Sequence, residues 1–266
     1  MFLKTRDGKI AFETHGEKRE KGIVFIHGFP FDRSMWDEQA KLLSKDHFVL
    51  SFDIRGHGES DQGSGQYLIE FFVDDLIALL DHLGLTTVCL CGLSMGGYTA
   101  LRAIEREPSR FSGLVLCDTK STGDTNAAKL NRANQIRTIL AGKRSEFAEG
   151  QLKALFAPDS FSRNAQAVEK IKRTILSTAD GVLVGALIAL AARMDMTESL
   201  PKISVPTLII VGEHDKVTPP SEAELMHSKI GGSKLAVIGG AGHISNLENT
   251  PEFNSTLQSF LAENKL

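Results

Sequence analysis

Six short apolar runs alternate with stretches of helical periodicity, and this alternation constrains the fold more than any other feature of the chain. The runs are GIVFIHG (22–28), HFVLSFD (47–53), TVCLCG (87–92), GLVLCD (113–118), TLIIVG (207–212) and KLAVIG (234–239). Helical candidates lie among them at 68–83, 97–107 and 219–230, and a last one at 251–261 closes the chain. Strands that are apolar on both faces need helices over both faces, so the pattern predicts an α/β fold with a mostly parallel, doubly wound sheet. Ahead of the runs, FLKTRDGKIAFETHG reads as a hairpin turning at Asp7-Gly8, which brings the expected sheet to about eight strands.

Residues 121–199 break the rhythm. No strand-like run appears there, whereas LNRANQIRTILAG and EFAEGQLKALF carry helical periodicity. A stretch of that length cannot be a plain loop in a compact domain. It is expected to form a helical cap inserted into a core built from residues 1–120 and 200–266. The longest apolar run, 182–192, is too short to span a bilayer and reads as a buried helix.

Apolar residues make up 42% of the 266-residue chain and charged residues 24%, as in ordinary soluble globular proteins. A net charge of −3 leaves no electrostatic footprint for nucleic acid or an anionic membrane, so neither is expected as a partner. The opening MFLKTRDGKIAFETHGE is charged throughout and contains no signal-peptide-like apolar segment. Cys89, Cys91 and Cys117 all sit in strand-like runs, without a CxxC pair or a His/Cys cluster. They read as small core residues rather than metal ligands or a disulfide framework, and a cytoplasmic location is expected.

The segment LCGLSMGGYTA, residues 90–100, sets Ser94 among Gly92, Gly96 and Gly97. Each glycine inside an ordered element costs about 0.5–1 kcal/mol relative to alanine, so three together point to a backbone other residues cannot adopt. Two readings compete. In the first, Ser94 is an N-cap on the next helix. Alternatively, G-x-S-x-G between a strand and a helix is a nucleophile turn, with the serine hydroxyl raised above the sheet beside a helix N-terminus.

A serine nucleophile needs a base, and the base needs an orienting acid. Among eight histidines, His243 stands out: GGAGH leaves it on a loop between the last strand candidate and the final helix. Strand ends of this kind are where ligands bind in open α/β sheets. Asp215 follows TLIIVG and opens onto a Pro-rich loop, which makes it the preferred acid; Asp118, at the end of GLVLCD, is the rival. The chain order Ser94, Asp215, His243 is that of an α/β-hydrolase triad. Oxyanion donors are expected from the Met95 N–H, directly after the serine, and from the Phe29 N–H in His27-Gly28-Phe29-Pro30. Gly28 lets that loop bend, and both Gly28 and Phe29 are expected to border the substrate.

The segments HGFPFDRSMWDEQ, SFDIRGHGESD, GLSMGGYTALRAIEREPSRFSGLVLCDT, VPTLIIVGEHDKVTPP and AGHISNLENTPEFN follow one another as they do in the α/β-hydrolase superfamily, which this chain resembles. Within it, LCDTKSTGD and ALAARMDMTESLPKISVPTL make the chain similar to small bacterial carboxylesterases and the 3-oxoadipate enol-lactonase group. The resemblance implies Ser94 as nucleophile, His243 as base and acid, Asp215 as orienting acid, and Phe29 and Met95 as backbone oxyanion donors. It implies hydrolysis of carboxylic esters with no cofactor and no metal, and the insertion's length and composition suit small to medium uncharged acyl groups. The alternatives are an enol-lactonase or related lactonase, a perhydrolase or C–C bond hydrolase, and a non-catalytic ligand receptor on the same scaffold. A lactonase of this kind needs cations in its pocket, for which Arg132, Arg137, Lys143, Arg144 and Arg193 are available. The insertion is expected to act as a lid with an apolar inner face. Expected partners are a small-molecule ester or lactone and, at most, a second copy of the chain. His57, Arg55 and Asp53 are expected to order their loop, and His27 to support the oxyanion loop.

Overall fold

The computed structural model of the protein describes residues 1–18 and 21–266. Eight strands form one sheet: β1 (Phe2–Thr5), β2 (Gly8–His15), β3 (Lys21–Ile26), β4 (Val49–Phe52), β5 (Thr87–Leu93), β6 (Phe111–Cys117), β7 (Thr207–Gly212) and β8 (Lys234–Ile238). Their order across the sheet is β1-β2-β4-β3-β5-β6-β7-β8. The hairpin β1–β2 is antiparallel and joins β4 antiparallel, while every other pair is parallel. From β3 the chain steps outward to β4 on one side and returns to β5 on the other. The crevice beyond the C-terminal ends of β3 and β5 is therefore the topological switch point, where open α/β sheets bind ligands.

The central strands are buried on both faces, as their unbroken apolar runs require. In β5 every residue from Val88 to Leu93 is buried, and all of β7 is. Crossover helices cover them: α1 (Asp37–Leu43), α2 (Ile69–Leu83) and α3 (Met95–Arg106) lie between strands in the first half of the chain. Gly84 ends α2 in the left-handed conformation, a common helix stop. The seven-residue α1 is too short to leave a periodic signature and was not expected from the sequence. Cys89, Cys91 and Cys117 are buried and form no disulfide, as small core residues should be.

Between β6 and β7 come α4 (Asn126–Leu140), α5 (Arg144–Leu155), α6 (Ser160–Arg163), α7 (Ala165–Ser177) and α8 (Asp180–Ala192), with no strand among them. The two ends of this segment meet where the Met196 N–H donates to the Ser121 carbonyl at 2.9 Å. The apolar run of α8 buries Val182, Leu183, Ala186, Leu187, Ala189 and Leu190, although Ile188 stays 52% exposed. Lys170 on α7 ties the helices down, donating to the Ser34 carbonyl at 2.7 Å. Among the described residues no single helix is long and apolar enough to cross a membrane. After β7 the chain adds α9 (Pro220–Lys229), then β8, the short α10 (Ser245–Glu248) and α11 (Thr250–Asn264). Pro stands at the start of both α9 and α11, where its missing N–H costs nothing.

Candidate active site

Ser94 sits between β5 and α3 with φ 52° and ψ −112°, a conformation few non-glycine residues adopt. Two of its glycine neighbours make that turn sterically possible. A Cβ on Gly92 would stand 2.3 Å from the Gly96 carbonyl oxygen, and one on Gly96 would stand 2.1 Å from the Ile26 carbonyl oxygen of β3. The Ser94 side chain makes no capping hydrogen bond to α3. Its Oγ instead lies 2.9 Å from His243 Nε2. Of the two roles open to this serine, capping is the one its geometry does not serve.

His243 is 1% exposed, and its Nδ1 lies 2.8 Å from Asp215 Oδ2. The Asp215 carboxylate is itself gripped: it accepts from the Val217 N–H at 2.8 Å, the Thr218 N–H at 3.0 Å and the Thr218 hydroxyl at 2.8 Å. Burial alone would raise the Asp215 pKa, but the His243 charge and these donors outweigh it and hold the carboxyl below its ordinary value. Burial likewise works to lower the His243 pKa. Attraction from Asp215, with its hydrogen bond, wins and leaves the imidazole more basic than usual. A carboxylate on Nδ1 also puts the proton there, leaving Nε2 free to accept one.

The rival acid lies nearby without reaching the imidazole. Asp118 Oδ1 accepts from the Gly212 N–H at 2.8 Å, and Oδ2 from the Ser245 hydroxyl at 2.6 Å. Of the two expected oxyanion donors, Met95 is the first residue of α3, so its N–H has no intrahelical acceptor. The Phe29 N–H has no acceptor among the described residues. Next to it, His27 accepts from the Ile54 N–H on Nε2 at 2.9 Å and donates from Nδ1 to the Gly28 carbonyl at 2.8 Å. Burial pushes its pKa down to about 4, so it stays neutral and braces the loop. His57 is also held neutral by burial, down to about 3, with Nδ1 near the Arg55 carbonyl. Arg55 in turn donates to both oxygens of Asp75, and Asp53 accepts from the Arg33 and Glu59 N–H groups. These four residues order loops, in line with their sequence reading.

A cavity of about 310 Å³ opens over Ser94 and His243. The insertion's share of its walls is mixed: Ala154, Leu155 and Leu190 supply the apolar surface expected of it, beside a polar stripe. Ala128, Asn131, Arg132 and Gln135 line the cavity, spaced along one side of α4, with Gln151 from α5 opposite. Helical periodicity in α4 is real, but its inward stripe is polar, and Ile139 is its one buried residue. Of the five cations available to a lactonase pocket, Arg132 borders the cavity. Arg193 lies behind it, stacked 4.2 Å over the Tyr98 ring. Both guanidinium groups share one carboxylate, Asp124, at 2.5 Å each. Arg137, Lys143 and Arg144 are engaged elsewhere, with Asn134, Glu146 and Asp180.

Three residues at the site escaped sequence reasoning. Lys120 and Lys216 line the cavity just beyond β6 and β7, and their positions at strand ends were the available signal. Glu248 is buried and accepts from the Ala157 N–H, the Ser160 hydroxyl and the Gly242 N–H. It thereby fastens the insertion to the loop that carries His243. Nothing local in SNLEN announces that role.

A doubly wound sheet with a strained serine turn after β5, and acid and histidine loops after β7 and β8, defines the α/β-hydrolase class. The description "alpha/beta hydrolase fold" matches residues 22–250, and the chain belongs to that family. It is 30% identical to 3-oxoadipate enol-lactonase 2 of Acinetobacter baylyi, covering 97% of this chain and 95% of that one. Among solved structures, a thermophilic esterase from Thermogutta terrifontis, titled as malate-bound, aligns with a TM-score of 0.94 at 34% identity, over 99% of both chains. The enol-lactonase from Burkholderia xenovorans LB400 aligns at 0.91 with 29% identity, over 98% of this chain and 100% of its own.

Proposed function

We propose that this protein is a serine hydrolase that cleaves carboxylic esters or lactones through an acyl-enzyme on Ser94. One observation carries the reading: Ser94, His243 and Asp215 stand in hydrogen-bonding sequence at 2.9 and 2.8 Å. Ser94 Oγ attacks the carbonyl carbon while His243 Nε2 takes its proton. The carbonyl oxygen becomes an oxyanion facing the Phe29 and Met95 N–H groups, beside the positive end of α3. The tetrahedral intermediate then collapses, and His243 returns the proton to the departing alkoxide. Water attacks the acyl-enzyme in the second half, giving its proton to His243, which returns it to Ser94 Oγ as the second intermediate collapses and releases the acid. Asp215 holds the imidazole in one tautomer and stabilises its cation throughout.

The helices of residues 126–192 serve as a lid over this chemistry, and the buried cysteines, which form no disulfide, favour a reducing, cytoplasmic setting. A cavity of about 310 Å³ suits a small to medium ester, the carboxylesterase reading. A second reading is favoured by the walls. Lys120, Arg132 and Lys216 face a space with a single carboxylate, Asp124, so a lactone or ester bearing its own carboxylate would balance the charge. The enol-lactonase names of two similar proteins support it as well.

The test is a panel of p-nitrophenyl esters of increasing chain length, a hemiglutarate ester and 3-oxoadipate enol-lactone, run with wild type and Ser94→Ala. Ser94→Ala should lose about 10³-fold or more in kcat/KM while remaining folded. Full retention of activity would sink the mechanism. Preference for acyl chains beyond about ten carbons would contradict so small an enclosed cavity. A clear preference for the hemiglutarate or the enol-lactone selects the second reading; faster turnover of neutral esters selects the first.

A further inference from the structure

Asp118 is a buried carboxyl that the proposed mechanism does not use. It directly follows β6 with φ 44°, in the left-handed region, which Asp tolerates better than most residues. Its own N–H donates to the Ile210 carbonyl of β7 at 2.8 Å. From there the side chain bridges two loops. One oxygen holds the Gly212 N–H, three residues before Asp215; the other holds the Ser245 hydroxyl at 2.6 Å and the Ser245 N–H at 3.3 Å, two residues after His243. The next residue completes the set: the Thr119 hydroxyl donates to the Ser94 carbonyl at 2.8 Å. The turn after β6 thus touches all three loops that deliver Ser94, Asp215 and His243.

We infer that Asp118 is a positioning residue for the acid–histidine pair, locking the β7 and β8 loops in register and placing a second carboxyl behind the imidazole. The inference rests on the serine-hydrolase reading above and adds to it a group acting through His243. The charged groups around Asp118 are Asp215 and His243, with Glu248 also facing the imidazole. Burial first, and repulsion from Asp215 second, push the Asp118 pKa up to about 8, against the donors on it. Once ionised, it adds a negative charge that stabilises the imidazolium formed when Ser94 is deprotonated.

The experiment compares pH profiles of kcat and KM on one neutral p-nitrophenyl ester for wild type, Asp118→Asn, Ser245→Ala and Ser94→Ala, with thermal melts alongside. Wild-type kcat should show a rising step near pH 8. In Asp118→Asn that step should vanish and kcat should fall about tenfold or more, the effect of losing charge-assisted hydrogen bonds. KM should move far less. Ser245→Ala keeps the carboxyl but removes a donor to its charged form, so the step should survive and shift to higher pH. A folded Asp118→Asn protein with wild-type kcat and profile would overturn the assignment, as would a Ser245→Ala step that stays in place. If Ser94→Ala is inactive in that case, only the role of Asp118 falls. Activity in Ser94→Ala would overturn both this role and the serine mechanism beneath it.

Discussion

The strand-end loops and the helical insertion solve opposite problems. Around Ser94, His243 and Asp215 the positions are over-determined: buried strands deliver them, a Cβ on Gly92 or Gly96 would stand within about 2.3 Å of backbone oxygen, and the side-chain polar atoms of all three have named partners. In the insertion, α4 and α5 turn Asn131, Arg132, Gln135 and Gln151 toward the cavity, and α4 buries a single side chain. On the proposed mechanism the first region sets whether the chemistry runs at all. The second is expected to set what is admitted, with contacts that tolerate change. Chemistry needs fixed distances, whereas selection needs only a surface of suitable charge and shape.

Substitutions should separate the two regions in a graded way. Asp215→Asn lies at the rigid extreme and should lower kcat by about 10³- to 10⁴-fold, by losing the negative charge that stabilises the imidazolium and fixes its tautomer. It should also move the pH profile. His243 must be neutral to accept a proton, and Asp215 makes it more basic than an ordinary histidine. The rising limb of wild-type kcat/KM should therefore lie above the ordinary imidazole value, and residual activity in the variant should rise at lower pH. An unshifted limb would mean that Asp215 does not tune His243.

Gly96→Ala tests the rigid region through stability instead. The new methyl would meet the Ile26 carbonyl of β3, backbone that cannot swing aside, so the variant should lose about 3 kcal/mol in urea unfolding. A loss under about 1 kcal/mol would show that the turn after β5 is softer than its geometry implies. The smallest effect should come from the adaptable region. Arg132→Gln leaves Asp124 paired with Arg193, so the fold should hold. The ratio of kcat/KM for the hemiglutarate ester over a neutral ester of equal length should change by about tenfold at most. A collapse in stability would mean that the insertion is as over-determined as the core.

Much of the rigid region is legible in the primary structure because its constraints are local. Gly-x-Ser-x-Gly between an apolar run and a helical run has few other uses, and Asp215 and His243 each close a strand candidate in the expected order. The helices beyond residue 121 were readable for the same reason: period and length suffice. Which side of α4 faces inward was not, because its polar and apolar residues are mixed around the helix, and only packing against α8 and α5 chooses the face. The short α1 left no periodic trace. Glu248 was invisible because its partners Ala157 and Ser160 stand 91 and 88 residues away.

By itself, then, the sequence determined the alternation of strands and helices, the strained serine turn and the order of the candidate triad, since each depends on patterns spanning a few residues. The sequence favours Asp215 over Asp118, and the tertiary structure adds the distance that separates them. Both follow buried strands, and the Pro-rich loop after Asp215 is the local signal that favours it. In space, one carboxylate reaches the imidazole at 2.8 Å, while the other is drawn to Gly212 and Ser245. Only the tertiary structure decided the cavity's charge, because Lys120, Arg132 and Lys216 meet over Ser94 only when three separate segments fold together.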